Sequence, residues 1–410
     1  MSTPADPHRA AGLRPWTFIL AFGLVSLLAD MVYEGARSII GPYLATLGAS
    51  ATIVGIAAGV GEFIGYGLRV VSGYLVARGR RYWTWTIVGY GLTVLSVPLL
   101  GATTALAPAL LLYGTERLGK AVRSPAKDTL LSHASSHAGR GTAFGVHQAM
   151  DQTGAVLGPL LLAAILAQRE GDYRLAFASL AVPGILVIAL LFWLRFRVPD
   201  PLVYEVPSPM DETAVEAAEQ PSLGRAPLPA LLWEYVAAVA IVSSGIASFP
   251  LLAFHAQTTG LLTEPQIPLL FAAAMLVDGA SGPAFGRVYD RRGPGVLLVV
   301  PVAAGVAAIA FADRAWLVWV GVAVWGIVNG VLDSTVKAVV AELVQPDQRA
   351  IAYGWLALVR GLGLVVAGAV IGVAYDQDRA LAIWLVIGIN VIAFATLWRV
   401  LRRIEPAIRT

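Results

Sequence analysis

Twelve runs of apolar residues follow one another along the 410-residue chain, each about 20 residues long or longer. At a rise of about 1.5 Å per residue, roughly 20 apolar residues cross the hydrocarbon core of a bilayer as a helix. The runs fall at 16–45, 51–77, 82–103, 106–127, 141–167 and 175–195, and then at 229–256, 265–289, 294–312, 315–340, 349–374 and 380–401. Lipid offers no partner to a backbone N–H or C=O, so segments of this length must pair their own backbone groups as helices. Composition agrees. Only 13% of residues are charged and mean hydropathy is +0.72, against about a quarter charged in soluble domains. The expectation is an all-α, multi-pass membrane protein of twelve transmembrane helices, with the lipid bilayer as part of its solvent.

The net charge of +3 does not point to nucleic acid, because the basic residues sit in short loops between apolar runs rather than on one solvated face. Cysteine is absent, which excludes disulfides and thiolate metal sites. No Walker A run, no Ser-His-Asp elbow and no H-E-x-x-H occurs, so neither ATP-driven transport nor an enzyme is indicated. No cofactor and no metal are expected. The first fifteen residues lack a cleavable leader's short apolar core, and the run from Trp16 reads as a retained membrane anchor.

The stretch 197–227, with Asp200, Glu205, Asp211, Glu212, Glu216 and Glu219 among several prolines, is the one long polar linker. It divides the chain into two sets of six spans, 1–196 and 228–410. Lys and Arg in the loops set orientation. Placing both termini inside puts twenty of them on the cytoplasmic side, from Arg9 through the turns at 78–81 and 287–292 to Arg409. Only Arg169, Arg174, Arg314 and Arg379 remain outside. That asymmetry predicts cytoplasmic termini and a cytoplasmic linker, in a bacterial inner membrane. The halves also repeat. Arg140-Gly-Thr-Ala-Phe-Gly145 recurs as Arg349-Ala-Ile-Ala-Tyr-Gly354, and Gly154 has its counterpart in Gly363.

Gly286-Arg-Val-Tyr-Asp290-Arg291-Arg292-Gly293, between spans 8 and 9, resembles the G-x-x-x-D-R-x-G loop of the major facilitator superfamily, and the resemblance covers essentially the whole chain. In the matching loop between spans 2 and 3, Gly73 to Arg81, Ala77 stands where the aspartate belongs. Span 5 carries Gly145, Gly154, Gly158 and Pro159, similar to the G-x8-G-x3-G-P motif of the drug/proton antiporter-like efflux branch. Gly154 and Gly158 also form a strip of small residues that admits a close helix neighbour. Span 4 ends in a run, Arg117-Leu-Gly119-Lys120-Ala-Val-Arg123-Ser-Pro125-Ala-Lys127-Asp128, that looks like one found in loosely defined bacterial exporters. The resemblance implies two pseudo-symmetric six-helix bundles, the major facilitator fold, around a midplane site reached by alternating access.

An ionisable side chain at membrane depth costs about 2.5 kcal/mol or more, so each is a functional candidate. Asp30, Glu34 and Arg37 share one face of span 1. Two acids one turn apart suit a proton site, and a self-contained Glu34–Arg37 pair is the structural alternative. With Glu62 on span 2 and Asp151 on span 5, Asp30 and Glu34 are the proton-coupling candidates. Arg37, Glu116, Arg117, Asp278 and Arg360 are candidates for the substrate cavity. Asp333 and Lys337, one turn apart, are expected to pair as a gate beside the Gly286–Gly293 loop. Asp151 is expected to pair with Arg37 or Arg69 across the seam between bundles, and Arg360 with Asp278 or Asp333. His255 reads as a solvated rim residue, and Trp83, Trp85, Trp233 and Trp398 as interface-belt aromatics.

These features point to a monomeric secondary transporter that exports a small organic solute in exchange for protons. An importer or uniporter whose arginines bind an anionic metabolite is the alternative. A non-transporting membrane receptor or scaffold is a third reading, disfavoured because it gains nothing from buried charge.

Overall fold

In the computed structural model, residues 13–135, 140–204, 227–345 and 348–409 are described, and all their regular structure is helical. The predicted linker falls largely on 205–226, outside the described residues. Twelve helical spans run α1 Pro15–Thr46, α2 Ala51–Gly79, α3 Tyr82–Leu100, α4 Leu106–Ser135, α5 Arg140–Gln168 and α6 Tyr173–Arg197. The second half runs α7 Ala230–Thr258, α8 Gln266–Arg292, α9 Pro294–Phe311, α10 Ala315–Leu343, α11 Arg349–Gln377 and α12 Arg379–Arg409.

Eleven of these are long and apolar enough to cross a membrane. The twelfth, α4, carries Glu116, Arg117, Lys120, Arg123, Lys127 and Asp128 within one helix of 30 residues. It is not short of span length; it is too polar to be read from hydropathy alone. All of these charges except the exposed Asp128 turn inward, and Arg117 is only 1% exposed.

Gly and Pro mark where spans depart from ideal helix. α7 ends one segment at Ser244 and begins another at Phe249. The carbonyls freed by that break need donors in a medium without water. Trp325 Nε1 supplies one to Ala247 (2.9 Å) and Asn390 Nδ2 another to Gly245 (2.8 Å).

Within the first half α1 packs on α5 and α6, and α4 on α2 and α3; within the second α8 packs on α10, and α7 on α11 and α12. The halves meet along α2 against α11 and α5 against α8, with α1 against the second segment of α7. Swapping halves exchanges the first two seams, as a pseudo-twofold axis requires. Along the first seam Gly55 faces Gly368 so closely that a Cβ on either would collide with the other's carbonyl.

The seam is latched at one end. The Asp376 carboxylate, at the end of α11, accepts from Ala51 N (2.9 Å) and Thr52 N (2.8 Å), the first free donors of α2. Nearby, Gln257 Nε2 donates to Tyr173 Oη at 3.0 Å. At the opposite face Asp333 and Lys337 stand exposed. The orientation expected from the loop charges puts the Asp376 latch at the outer face and Asp333 and Lys337 at the inner one.

Candidate functional site

The interior of the first half is a charged network on three helices. Arg37 on α1 reaches Glu62 on α2 (3.0 Å) and the Glu34 carboxylate one turn back (3.6 Å). Glu62 also receives Arg117 Nη1 of α4 at 3.4 Å. Arg117 Nε in turn lies 2.8 Å from Glu116 Oε2, out of line for a hydrogen bond. The order Glu34–Arg37–Glu62–Arg117–Glu116 alternates in sign, as burial demands. The Glu34–Arg37 pair is therefore part of a larger chain rather than self-contained. Glu34 Oε2, Glu116 Oε1 and Arg117 Nη2 are buried without a hydrogen-bond partner among the described residues, so this network is polar but incompletely satisfied.

Rings take up the remaining cations. Lys120 Nζ stands 4.2 Å above the Tyr33 ring, and the Arg123 guanidinium lies between Tyr33 (5.2 Å) and Tyr90 (4.5 Å). Arg123 also donates to Thr93 Oγ1 at 2.9 Å. Lys120 makes no ion pair among the described residues.

Asp30 is different. It is 9% exposed, sits where α5 comes closest to α1 beside Gly154, and makes no hydrogen bond or ion pair among the described residues. The charges acting on it are Asp151 and Glu34 of one sign and Lys127 and Arg123 of the other. Glu34, Glu62, Glu116 and Asp151 each have a cation within 4 Å.

Asp151 does not pair with Arg37 or Arg69. Its partner is Lys127 of α4 at 3.4 Å, with His147 Nε2 at 3.6 Å. The face of α5 that carries Asp151 turns toward α4 in its own half, while Gln152, one residue on, reaches across the seam to the Met275 carbonyl (2.5 Å). A helical residue's neighbour points 100° away, and that difference decides which helix it meets. His147 also meets Ser26 Oγ at 3.1 Å.

In the second half Arg360 pairs with Asp333 (3.1 Å), one of its two expected partners, and stacks on Tyr66 of α2 (5.2 Å). Asp333 is therefore not paired with Lys337; Arg360, from the adjacent helix, takes it. Asp278 of α8 is half-buried and makes no ion pair among the described residues; Arg37 and Glu34 from the other half act on it together with Asp333 and Arg360.

The remaining expectations divide. Gly154 and Gly158 seat α5 on Leu27 and Met31 of α1, with Pro159 buried after them, whereas Gly145 touches nothing. Gly293, with φ +78°, ends α8, and Asp290 and Arg291 are exposed. His255 is not a rim residue: it is fully buried, with Nδ1 2.7 Å from Tyr375 Oη and Nε2 3.2 Å from the Ala312 carbonyl. Trp83 is buried too, donating to the Val198 carbonyl (3.0 Å). Trp233 and Trp398 are exposed. The sequence reading named Lys120 and Lys127 within the α4 run without counting them as site residues, and it did not single out the stacking tyrosines. The signal was present, since Glu116, Lys120, Arg123 and Lys127 recur at helical spacing along α4.

Twelve spans in two like halves, with a chain of buried charges on α1, α2 and α4, define a secondary transporter rather than an enzyme. The Major Facilitator Superfamily model matches residues 22–367 and 235–409, and the chain belongs to that superfamily. An uncharacterized protein of Mycobacterium tuberculosis is 45% identical over 398 residues, covering 96% of each chain. An uncharacterized MFS-type transporter of Methanocaldococcus jannaschii is 24% identical over 363 residues, 86% of this chain and 87% of that one. Among solved structures, a mutant of the nucleoside transporter NupG superimposes with a TM-score of 0.75 at 11% identity, covering 93% of this chain and 99% of that one. That likeness is one of fold.

Proposed function

We propose that the chain is a proton-coupled efflux transporter for a small organic solute, with Asp30 as the group that takes up the proton. One observation carries this reading: among the described residues, Asp30 alone of the buried acids of the first half lacks a partner. An unpaired carboxylate in a low-dielectric interior is costly, and a proton is the cheapest way to neutralise it. Its place between α1 and α5, one turn from Glu34, lets its charge act on the network that reaches Glu62 and Arg117. Arg37 and Arg117 are already engaged by acids, which weighs against the alternative of an anionic metabolite held by those two arginines. The efflux direction draws support from the Gly154-Gly158-Pro159 motif on α5.

The test uses proteoliposomes with an imposed pH gradient and a panel of labelled organic solutes. The wild type should move at least one solute against its gradient at the expense of the proton gradient. Asp30→Asn should remove that dependence while leaving the protein folded in the membrane. Gradient-driven transport that survives in Asp30→Asn would mean that the proton is carried elsewhere.

A further inference from the structure

The departure in the α2–α3 turn has a structural consequence of its own. The turn reads Ala77-Arg78-Gly79-Arg80-Arg81, with no acid to balance its three arginines. The end of α6 reads Trp193-Leu194-Arg195-Phe196-Arg197, also without an acid. The Trp83–Val198 hydrogen bond, 3.0 Å, sets these two stretches side by side at one face of the membrane. Asp200, the nearest acid in sequence, turns its carboxylate onto its own Leu202 N (3.0 Å). Arg80, Arg81 and Arg195 are exposed and make no ion pair among the described residues. Phe196 is 82% exposed and Trp193 42% exposed beside them, aromatic side chains at the level where headgroups meet acyl chains.

The second half is not built this way. There Asp290 lies among Arg287, Arg291 and Arg292. At the end of α12 the Arg403 guanidinium holds both Glu234 oxygens (3.0 and 2.9 Å), and Arg402 stacks on Trp398 at 4.8 Å. At that end the protein itself engages Arg403 and Arg402. Arg80, Arg81 and Arg195 have no such partner among the described residues, and like charges held together repel unless something of opposite sign sits among them. At headgroup depth the abundant anion is a lipid phosphate, which guanidinium groups bind with paired hydrogen bonds.

We infer that the α2–α3 turn and the end of α6 form a binding site for an anionic phospholipid, with Arg80, Arg81 and Arg195 on the headgroup phosphate and Phe196 and Trp193 against the first methylenes. The site lies apart from Asp30 and does not depend on the transport reading.

The experiment uses the full chain in phosphatidylcholine nanodiscs, with bound lipid counted by native mass spectrometry and melting followed in parallel. Adding cardiolipin or phosphatidylglycerol should give retained lipid adducts and a higher melting temperature; further phosphatidylcholine or inorganic phosphate should give neither. The triple variant R80Q/R81Q/R195Q should weaken anionic-lipid retention roughly tenfold or more, since each arginine near an anionic surface contributes about a fivefold factor. The triple variant R291Q/R292Q/R402Q, which removes equal charge from the second half, should keep it. Arg81→Gln alone should show a shallower dependence of retention on salt, a readout independent of the yield of the triple variant. Equal losses in both triple variants would reduce the effect to general attraction between a basic face and anionic lipid, and would overturn the site. Stabilisation by inorganic phosphate matching that of the lipids, or by phosphatidylcholine, would overturn it as well.

Discussion

Asp376→Ala removes a contact that joins the halves at one end only, and its cost can be worked from the two hydrogen bonds it makes. Ala51 N and Thr52 N are among the α2 donors that no carbonyl within the helix can reach. Asp376 accepts from both, at 2.9 and 2.8 Å. Losing a side-chain cap costs about 0.5–2 kcal/mol, and a carboxylate at a helix N-terminus adds about 0.3–1 kcal/mol. Asp376 is exposed, so water replaces part of the bond and a net figure of about 1–2 kcal/mol is reasonable. That stabilisation exists only while α11 lies against α2 at this end. Removing it shifts the balance between the latched and the opened outer face by a factor of roughly 5–30. The cysteine-free chain suits the assay. Spin labels at Thr46→Cys on the first half and Thr263→Cys on the second, both exposed positions, report the separation of the halves there. The variant should populate a longer distance that is rare in the wild type, and Asp376→Asn, which keeps one acceptor oxygen, should fall between. A lower melting temperature with an unchanged distance distribution would show that Asp376 only caps a helix, and the latch argument would fail.

Other expectations follow from the same geometry. Asp333 is 60% exposed by side chain, so Asp333→Ala should cost less than about 1 kcal/mol in thermal stability, whereas Arg360→Ala, which also loses the Tyr66 ring, should cost more; equal costs would contradict this. Asp30→Asn removes an unpaired buried charge and should leave the melting temperature unchanged or raised, where a fall would reveal an overlooked partner. Single cysteines within 205–226 should be labelled from the cytoplasmic side of intact membrane vesicles, and labelling from the outer side would invert the predicted orientation.

The spans were legible because lipid leaves the backbone one economical solution, so apolar length maps directly onto helix. α4 shows the limit. Its buried charges depress its hydropathy, and the apolar run ends near Lys127 although the helix continues to Ser135. The identity of the charged residues was legible too, since cost alone singles them out. Their partners were not. Helical phase tells which residues share a face but not which helix that face meets, and α5 meets α1, α4 and α8 at once. Asp151 and Gln152 point to different halves for this reason. His255 was misread because its position near a helix end suggested water, while the Tyr375 hydroxyl and the Ala312 carbonyl satisfy it in the protein.

The repeat places Asp151 of α5 opposite Arg360 of α11, an exchange of sign, and the partners exchange sign as well. Lys127 on α4 holds the acid, and Asp333 on α10, the corresponding helix, holds the base. Each half thus keeps a neutral pair between equivalent helices while reversing its direction. If neutrality rather than residue identity is what the fold requires, reversing the first pair should be tolerated. Asp151→Ala strands Lys127 and should cost toward the low end of about 3–5 kcal/mol, because both side chains retain some exposure (16% and 17%). Lys127→Asp alone places two acids together beside Asp30 and should cost more. The swap Lys127→Asp with Asp151→Lys restores one charge of each sign at the same site and should recover most of the melting temperature lost by either single change. Recovery of stability without recovery of coupled transport would separate the two demands, with the fold asking only for a neutral pair and Asp30 responding to the sign of the charge beside it. A swap no more stable than Lys127→Asp would show instead that the pair's geometry, including the contact of His147 with Asp151, fixes which residue must be the acid.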